Sequence, residues 1–383
     1  MTRKWIAVWT SSIFFYFLMY LFHWPLFPDM LGVEPRFIDI SGLFSQVACV
    51  EDKVHSGSSY MHATEVCTYV YTKSLYIAIS FVGGTAAVAV FLGCIQGILV
   101  LTALVQISAL SLRDITKRGA LFFVALLLSP PIMLLLERGN IDGTIFLLVL
   151  LMDRLYRERR QWALVVAVLA SLIKFYSLPL VWTFLCGVKM WQKFSFLFLV
   201  GPVTVFLLQE IWWMRGRTPY PTDSAFGNPM LGKYLQPGGS NPIIDLFVGL
   251  SVCGLAIAVL KYWEIKKGAP LKLDFIANAE NSRIQLLTLL VIVHLTCYFL
   301  TTNYDYRLIF LVAQAPLILE LMEFTRKHKY IYCINTLVIF WFSFNVGLLQ
   351  PLGDLAIGFH TVLLVKVLIV NRRKIIEVFV SAK

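Results

Sequence analysis

A chain of 383 residues that is 58% hydrophobic and only 14% charged does not read as a soluble protein, because soluble domains carry about 25% charged side chains. Its net charge of +11 does not read as a nucleic-acid surface either, because the basic residues lie in short clusters between long apolar runs. Those runs are about 17–25 residues long, the length needed to cross a hydrocarbon core about 30 Å thick. They are apolar all round and do not alternate, which excludes a transmembrane β-barrel and predicts an all-α polytopic membrane protein.

Thr2-Arg3-Lys4 precede an apolar run from Trp5 to Phe22. His23-Trp24-Pro25 follow in place of a small-residue cleavage site, so the run is expected to remain as a first helix and not to be removed as a signal peptide. Residues 23–73 then form a long first extracytoplasmic loop. Further spans are expected at 75–112, 120–136, 141–156, 162–173, 175–188, 194–213, 243–262, 284–301, 307–323, 330–349 and 354–370, about twelve in all, with a second long outside loop at 214–242. The whole of 1–383 is read as a single integral membrane domain.

Two runs test this scheme. The run from Leu75 to Leu112 is expected to be one long tilted helix, because two spans would put Arg113, Lys117 and Arg118 outside and invert every later loop. The run from Trp162 to Val188 is too long for one span and short for two, with Lys174 near its middle and Pro179 beyond. It is expected to cross an even number of times, as two short helices or a re-entrant hairpin. Such broken backbone at membrane depth must be covered by protein or line water, so a cavity is expected there.

The basic clusters set the orientation. Arg3/Lys4, Arg113/Lys117/Arg118, Arg154/Arg157/Arg159/Arg160, Lys189/Lys193, Lys261/Lys266/Lys267/Lys272, Arg326/Lys327/Lys329 and Arg372/Arg373/Lys374 fall on one side in this scheme. About three quarters of all Lys and Arg share that side, which places both termini in the cytoplasm. Cys94, Cys186, Cys253, Cys297 and Cys333 lie in apolar runs and read as packing. Cys49 and Cys67 share the first outside loop, where an oxidising compartment would allow them to pair. No metal-ligand spacing is present, so neither metal nor cofactor is expected.

Ionisable groups near the membrane are costly and need a reason. Asp39, the turn Glu137-Arg138-Gly139-Asn140-Ile141-Asp142, Lys174, and Asn303-Tyr304-Asp305-Tyr306-Arg307 all fall toward the outer face in this topology. Plainer roles exist for each. Arg138 and Arg307 suit interfacial anchors, Lys174 a snorkelling side chain, and Tyr304 and Tyr306 an aromatic belt. Asp142 suits a helix cap, Glu137 a partner of Arg138, and Asp39 a solvated loop acid.

The order Glu137-Arg138-Gly139-Asn140-Ile141-Asp142, apolar helix, basic turn, then Ala170-Ser171-Leu172-Ile173-Lys174-Phe175-Tyr176-Ser177-Leu178-Pro179 resembles the polyprenol-phosphate-sugar glycosyltransferases of the glycosyltransferase-C fold. The likeness is to the bacterial phosphatidylinositol-mannoside mannosyltransferase type; its motifs cover about 45 contiguous residues, and the span count and long first outside loop extend it loosely over the chain. Proline stands later here than in the family's Lys-Xaa-Xaa-Pro pattern, and Asp39 is followed by Ile40-Ser41-Gly42 where the family has a Tyr-rich stretch. Asp29 therefore competes with Asp39 for the role of first-loop acid.

The resemblance implies transfer of a sugar, mannose or a similar hexose, from a polyprenyl-phosphate donor to a lipid or glycan acceptor. The reaction is expected at the extracytoplasmic face of a bacterial inner membrane, with inversion. Asp39 is then expected as general base. Lys174, Arg138 and Arg307 are expected to hold the donor phosphate. Asn140, Asp142, Glu137, Tyr304, Asp305 and Tyr306 are expected to hold sugar or acceptor. A secondary transporter and a lipid-glycan ligase or polymerase are the alternatives. Membrane lipids are expected partners and nucleic acid is not.

Overall fold

In a computed structural model of the chain, the structure describes residues 3–22, 38–58, 67, 86–112, 116–185, parts of 196–209, 225–226, parts of 247–261, 273–276, 278–300, 303–342 and 350–381. These residues are almost wholly helical. By length and composition, three helices among them are able to cross a membrane: Val88–Ser111, Asn281–Phe299 and Pro351–Val370. The helices Arg160–Ile173 and Ile309–Leu321 are apolar but have only 14 and 13 residues. At 1.5 Å per residue each is about 20 Å long, short of the hydrocarbon thickness.

Two expectations need correction. The span expected at 120–136 is broken into helices Lys117–Leu127 and Pro130–Arg138, bent by 46°. The cause is Ser129-Pro130-Pro131. A proline nitrogen carries no hydrogen to donate to the preceding turn, whereas proline suits the start of a new helix. Ser129 bridges the break: its backbone N–H and its Oγ both donate to Leu126 O, while its own carbonyl accepts from Ile132 and Met133. Trp341 Nε1 donates to the Ala125 carbonyl at the same bend, 3.2 Å away.

The second correction concerns the first outside loop, which is not all loop. Residues Ile38–His55 form an 18-residue helix within it. Asp39 stands in the first turn of that helix; Asp29, His23 and His62 lie outside the described residues. The long run 75–112 is a single helix over its described part, Ala86–Ser111.

The chain forms two compact units, each assembled from separate stretches. One comprises Met1–Phe22, Leu101–Met133 and Tyr220–Ala382; the other comprises His23–Val100, Leu134–Pro219 and Lys383. In the first unit, Asn281–Leu300 packs against Ile309–Leu321, Gln350–Val370 and Arg372–Ser381, and Arg326–Phe342 packs against Gln350–Val370 and Lys117–Leu127. The Ile309–Leu321 helix is buried on nearly every side, as an all-round apolar sequence requires. Arg283 holds the end of the Ala86–Ser111 helix by donating to Ser111 Oγ at 3.2 Å and to Leu110 O at 3.1 Å, a cation at the negative end of a helix. Trp5, fully buried, donates its ring N–H to Leu112 O at that same end.

A two-residue antiparallel pair joins Ala225 to Tyr304 and Phe226 to Asn303. This brings Ala225 and Phe226 beside Asn303 and Tyr304, residues expected on the same outer side.

The second unit is built on a helical hairpin. Ile141–Glu158 and Arg160–Ile173 are joined through Arg159 alone and pack along each other. At the closed end, Tyr156 packs on Phe184 in a tilted arrangement with ring centroids 4.8 Å apart, and Arg160 lies 5.0 Å above the Tyr156 ring. The open end carries the candidate site.

Candidate functional site

The turn Glu137-Arg138-Gly139-Asn140-Ile141-Asp142 is two helix caps placed back to back. Gly139 has φ +58°, the left-handed conformation that closes a helix, and its N–H and that of Asn140 donate to Leu136 O and Leu135 O. A side chain with a Cβ would be strained there. Asn140 then starts the next helix: its Oδ1 accepts from the Asp142 N–H at 2.9 Å. The capping role open to Asp142 thus falls to Asn140, and the Asp142 carboxylate is directed elsewhere. Glu137 and Arg138 are half-buried in the last turn of Pro130–Arg138.

Lys174 ends the second helix of the hairpin. It adopts an extended backbone, its N–H donating to Ala170 O, and a 3-10 turn Phe175–Ser177 and short helix Leu178–Trp182 follow. The break expected from the sequence is therefore located at Lys174 itself. Geometry brings this point level with Asp142. The hairpin turn lies 17 residues after Asp142 and 15 before Lys174, so both side chains stand about 22–26 Å from it.

There the Lys174 Nζ is 3.9 Å from Asp142 Oδ1, with both side chains buried. At this separation the contact is an ion pair and not a hydrogen bond. Tyr176 Oη donates a short hydrogen bond to the same Asp142 oxygen. The two charges also complement their helices. Asp142 sits in the first turn of one, at its positive end, and Lys174 at the negative end of the other. Lys174 is 3% exposed, which rules out the snorkelling role.

Gln96 closes one side. Its Nε2 donates a short hydrogen bond to the Asn140 carbonyl. Gly143 makes room for it, since a Cβ there would collide with Gln96 Nε2 and meet Val100 at 3.3 Å. On another side, Leu43 and Val47 of the Ile38–His55 helix pack with Ile141 and Ile173, the residues immediately before Asp142 and Lys174. Leu43 is one helical turn beyond Asp39, so the helix bearing Asp39 is held directly against the hairpin mouth. Cys49 and Cys67 form a disulfide with Cα atoms 5.8 Å apart, and both pack with Val50 of that helix.

The remaining expected residues belong to the other unit. Tyr304 is in the two-residue strand, Asp305 and Tyr306 lie in the 3-10 turn Asp305–Leu308, and their side chains fall outside the description. Arg307 in that turn is buried, at 7% exposure.

Sequence reasoning missed Tyr176 and Gln96 as parts of the site. Both carried a signal: a buried tyrosine hydroxyl needs a partner, and Gln96 interrupts an otherwise apolar helix of 26 residues. His294 and His360, polar residues within apolar spans, were passed over in the same way.

No protein-family model matches this chain, and no match was found among curated proteins or among solved structures.

Proposed function

We propose that this chain is a membrane glycosyltransferase that moves a sugar from a polyprenyl-phosphate donor to a lipid or glycan acceptor at the extracytoplasmic face. The observation that carries the reading is the buried Asp142–Lys174 pair at the mouth of the hairpin. It lies where the two segments that bear the family resemblance meet, and buried charges at broken helices in membrane proteins mark substrate sites.

In this reading the leaving group is a lipid phosphate, whose developing charge is held by cations. Lys174 supplies the central one, with Arg138 assisting. Asp142 and Tyr176 set the ammonium's position, so that it is oriented before donor arrives. Asp39, on the helix packed against Ile141 and Ile173, takes the acceptor hydroxyl proton as that oxygen attacks the anomeric carbon. The C–O bond to phosphate breaks as the new C–O bond forms on the opposite face. Asn140 and Glu137 contact sugar or acceptor.

The test is transfer of radiolabelled sugar from a polyprenyl-phosphate donor by the purified chain in detergent. Acceptor-dependent transfer supports the reading. Solute uptake by proteoliposomes without any transfer supports the transporter instead.

A further inference from the structure

Within the first unit, the interior shared by Asn281–Leu300, Arg326–Phe342 and Gln350–Val370 is not wholly apolar. His294 and Tyr298 lie four residues apart on one helix, His360 and Thr361 on another, and Tyr332 on the third. All five are buried, with His294 at 1% exposure and His360 and Tyr298 at 0%. They form one connected set. His294 Nε2 is 3.2 Å from Thr361 Oγ1, whose own proton is donated to Ile357 O, so Nε2 is the donor of the pair. The His294 ring lies nearly parallel to Tyr298 with centroids 6.5 Å apart, and the Tyr332 and His360 centroids are 5.5 Å apart. Gly358 leaves room for the Tyr298 hydroxyl, which a Cβ there would meet at 3.0 Å.

Five atoms of this set have no hydrogen-bond partner among the described residues: both ring nitrogens of His360, Nδ1 of His294 and the hydroxyls of Tyr298 and Tyr332. A buried polar atom left dry is costly, because it gives up its hydrogen bonds to water and gains none. Five in one interior would offset much of the stability of an ordinary domain. Native interiors meet such demands with ordered water, each molecule holding two to four polar atoms. Among the described residues no three His, Cys, Asp or Glu side chains gather to hold a metal, and neutral donors and acceptors of this kind fit water.

The set also has a direction. Tyr332 lies one turn beyond His328, near the end of its helix that carries Arg326, Lys327 and Lys329, and Phe324 contacts both rings. Asp354 lies one turn before Gly358, toward the opposite end of Gln350–Val370. From the level of His328 to that of Asp354 is about ten residues of helix, or about 15 Å, half of a hydrocarbon core.

We propose that this interior is a hydrated proton-relay site within the membrane span. Water bridges Tyr332, His360, His294 and Tyr298. A proton passes by forming an N–H bond at one ring nitrogen of His360 while the N–H bond at the other breaks to the next water, and His294, its Nε2–H held by Thr361, orders that water through Nδ1. His360 returns to neutrality, and no oxidant or co-reactant is required. The site stands independently of the glycosyltransferase reading, because it shares no residue with the Asp142–Lys174 cluster.

The test uses the full chain in liposomes enclosing a pH-sensitive dye, with a potassium gradient and valinomycin to set the potential. Dye response faster than in protein-free liposomes is expected. His360→Phe is expected to lower it at least tenfold and Tyr298→Phe severalfold. Should His360→Phe fail to fold, His360→Gln gives the same reading, since an amide satisfies hydrogen bonds but does not take up and pass on a proton. Sugar transfer in detergent is expected to be unchanged in these variants. Flux no greater than in protein-free liposomes, or undiminished flux in folded His360→Gln, overturns the relay.

Discussion

Replacing Lys174 by Met removes one member of a pair whose partner stays buried. At 3.9 Å the attraction between Lys174 and Asp142 amounts to about 4 kcal/mol at the effective dielectric of about 20 that suits protein sites. The carboxylate is left with the Tyr176 hydroxyl and the positive end of its helix. Loss of one partner of a buried pair typically costs about 3–5 kcal/mol. Lys174→Met is therefore expected to lower stability in detergent by an amount in that range, and Asp142→Asn by a similar amount. The double variant Asp142→Asn/Lys174→Met buries no charge and is expected to recover more than half of either loss, because a neutral replacement for a buried ion pair is often close to neutral in stability. Denaturant unfolding of the four proteins closes the cycle. Additive losses, with no recovery in the double variant, would show that the two charges are not coupled and would refute the site as described. The same variants separate structure from chemistry. A stable double variant that still binds polyprenyl phosphate as tightly as the parent would remove Lys174 from the donor site.

Asn140→Ala removes the side chain that caps the Ile141–Glu158 helix and is expected to cost about 1 kcal/mol in the same unfolding assay. Gly139→Ala is expected to cost about 1 kcal/mol or more through its left-handed backbone, whereas Gly201→Ala, with open space around it, is expected to be near neutral. Phe226→Cys and Asn303→Cys occupy paired positions and are expected to react from the same side of intact membranes, the outer one by the charge rule. Labelling from opposite sides, or of both only from the cytoplasm, would contradict the topology.

Much of the second unit could be read before the structure. Gly139 and Asn140 between two apolar runs are cap residues by type, and they cap. Lys174 within an apolar run marked the broken helix, and the helix ends there. The identity of its partner was not readable. The Asp142–Lys174 contact depends on two helices of nearly equal length folding back on one residue, which sets the depth of each side chain by geometry and not by local sequence. The 46° bend was recoverable from Ser129-Pro130-Pro131 but was hidden by the apolarity of the whole run, which hydropathy scores as one span. The Ile38–His55 helix escaped notice because its polar face made it resemble a solvated loop, yet its other face packs Leu43 and Val47 on the hairpin. His294 and His360 were overlooked for the opposite reason: single polar residues barely lower the mean hydropathy of a long apolar helix, although each one buried there demands a partner.

The central claim is tested most directly by sugar transfer in detergent with the parent chain and Asp39→Asn side by side, using radiolabelled polyprenyl-phosphate sugar. Asparagine keeps the shape of the side chain and removes its basicity. The account predicts acceptor-dependent transfer by the parent and a rate at least about a hundredfold lower in Asp39→Asn, with donor binding retained. Asp29→Asn is predicted to be far milder. Loss of transfer in Asp29→Asn with Asp39→Asn active would move the base to Asp29, and full activity in both would contradict carboxylate-assisted transfer altogether.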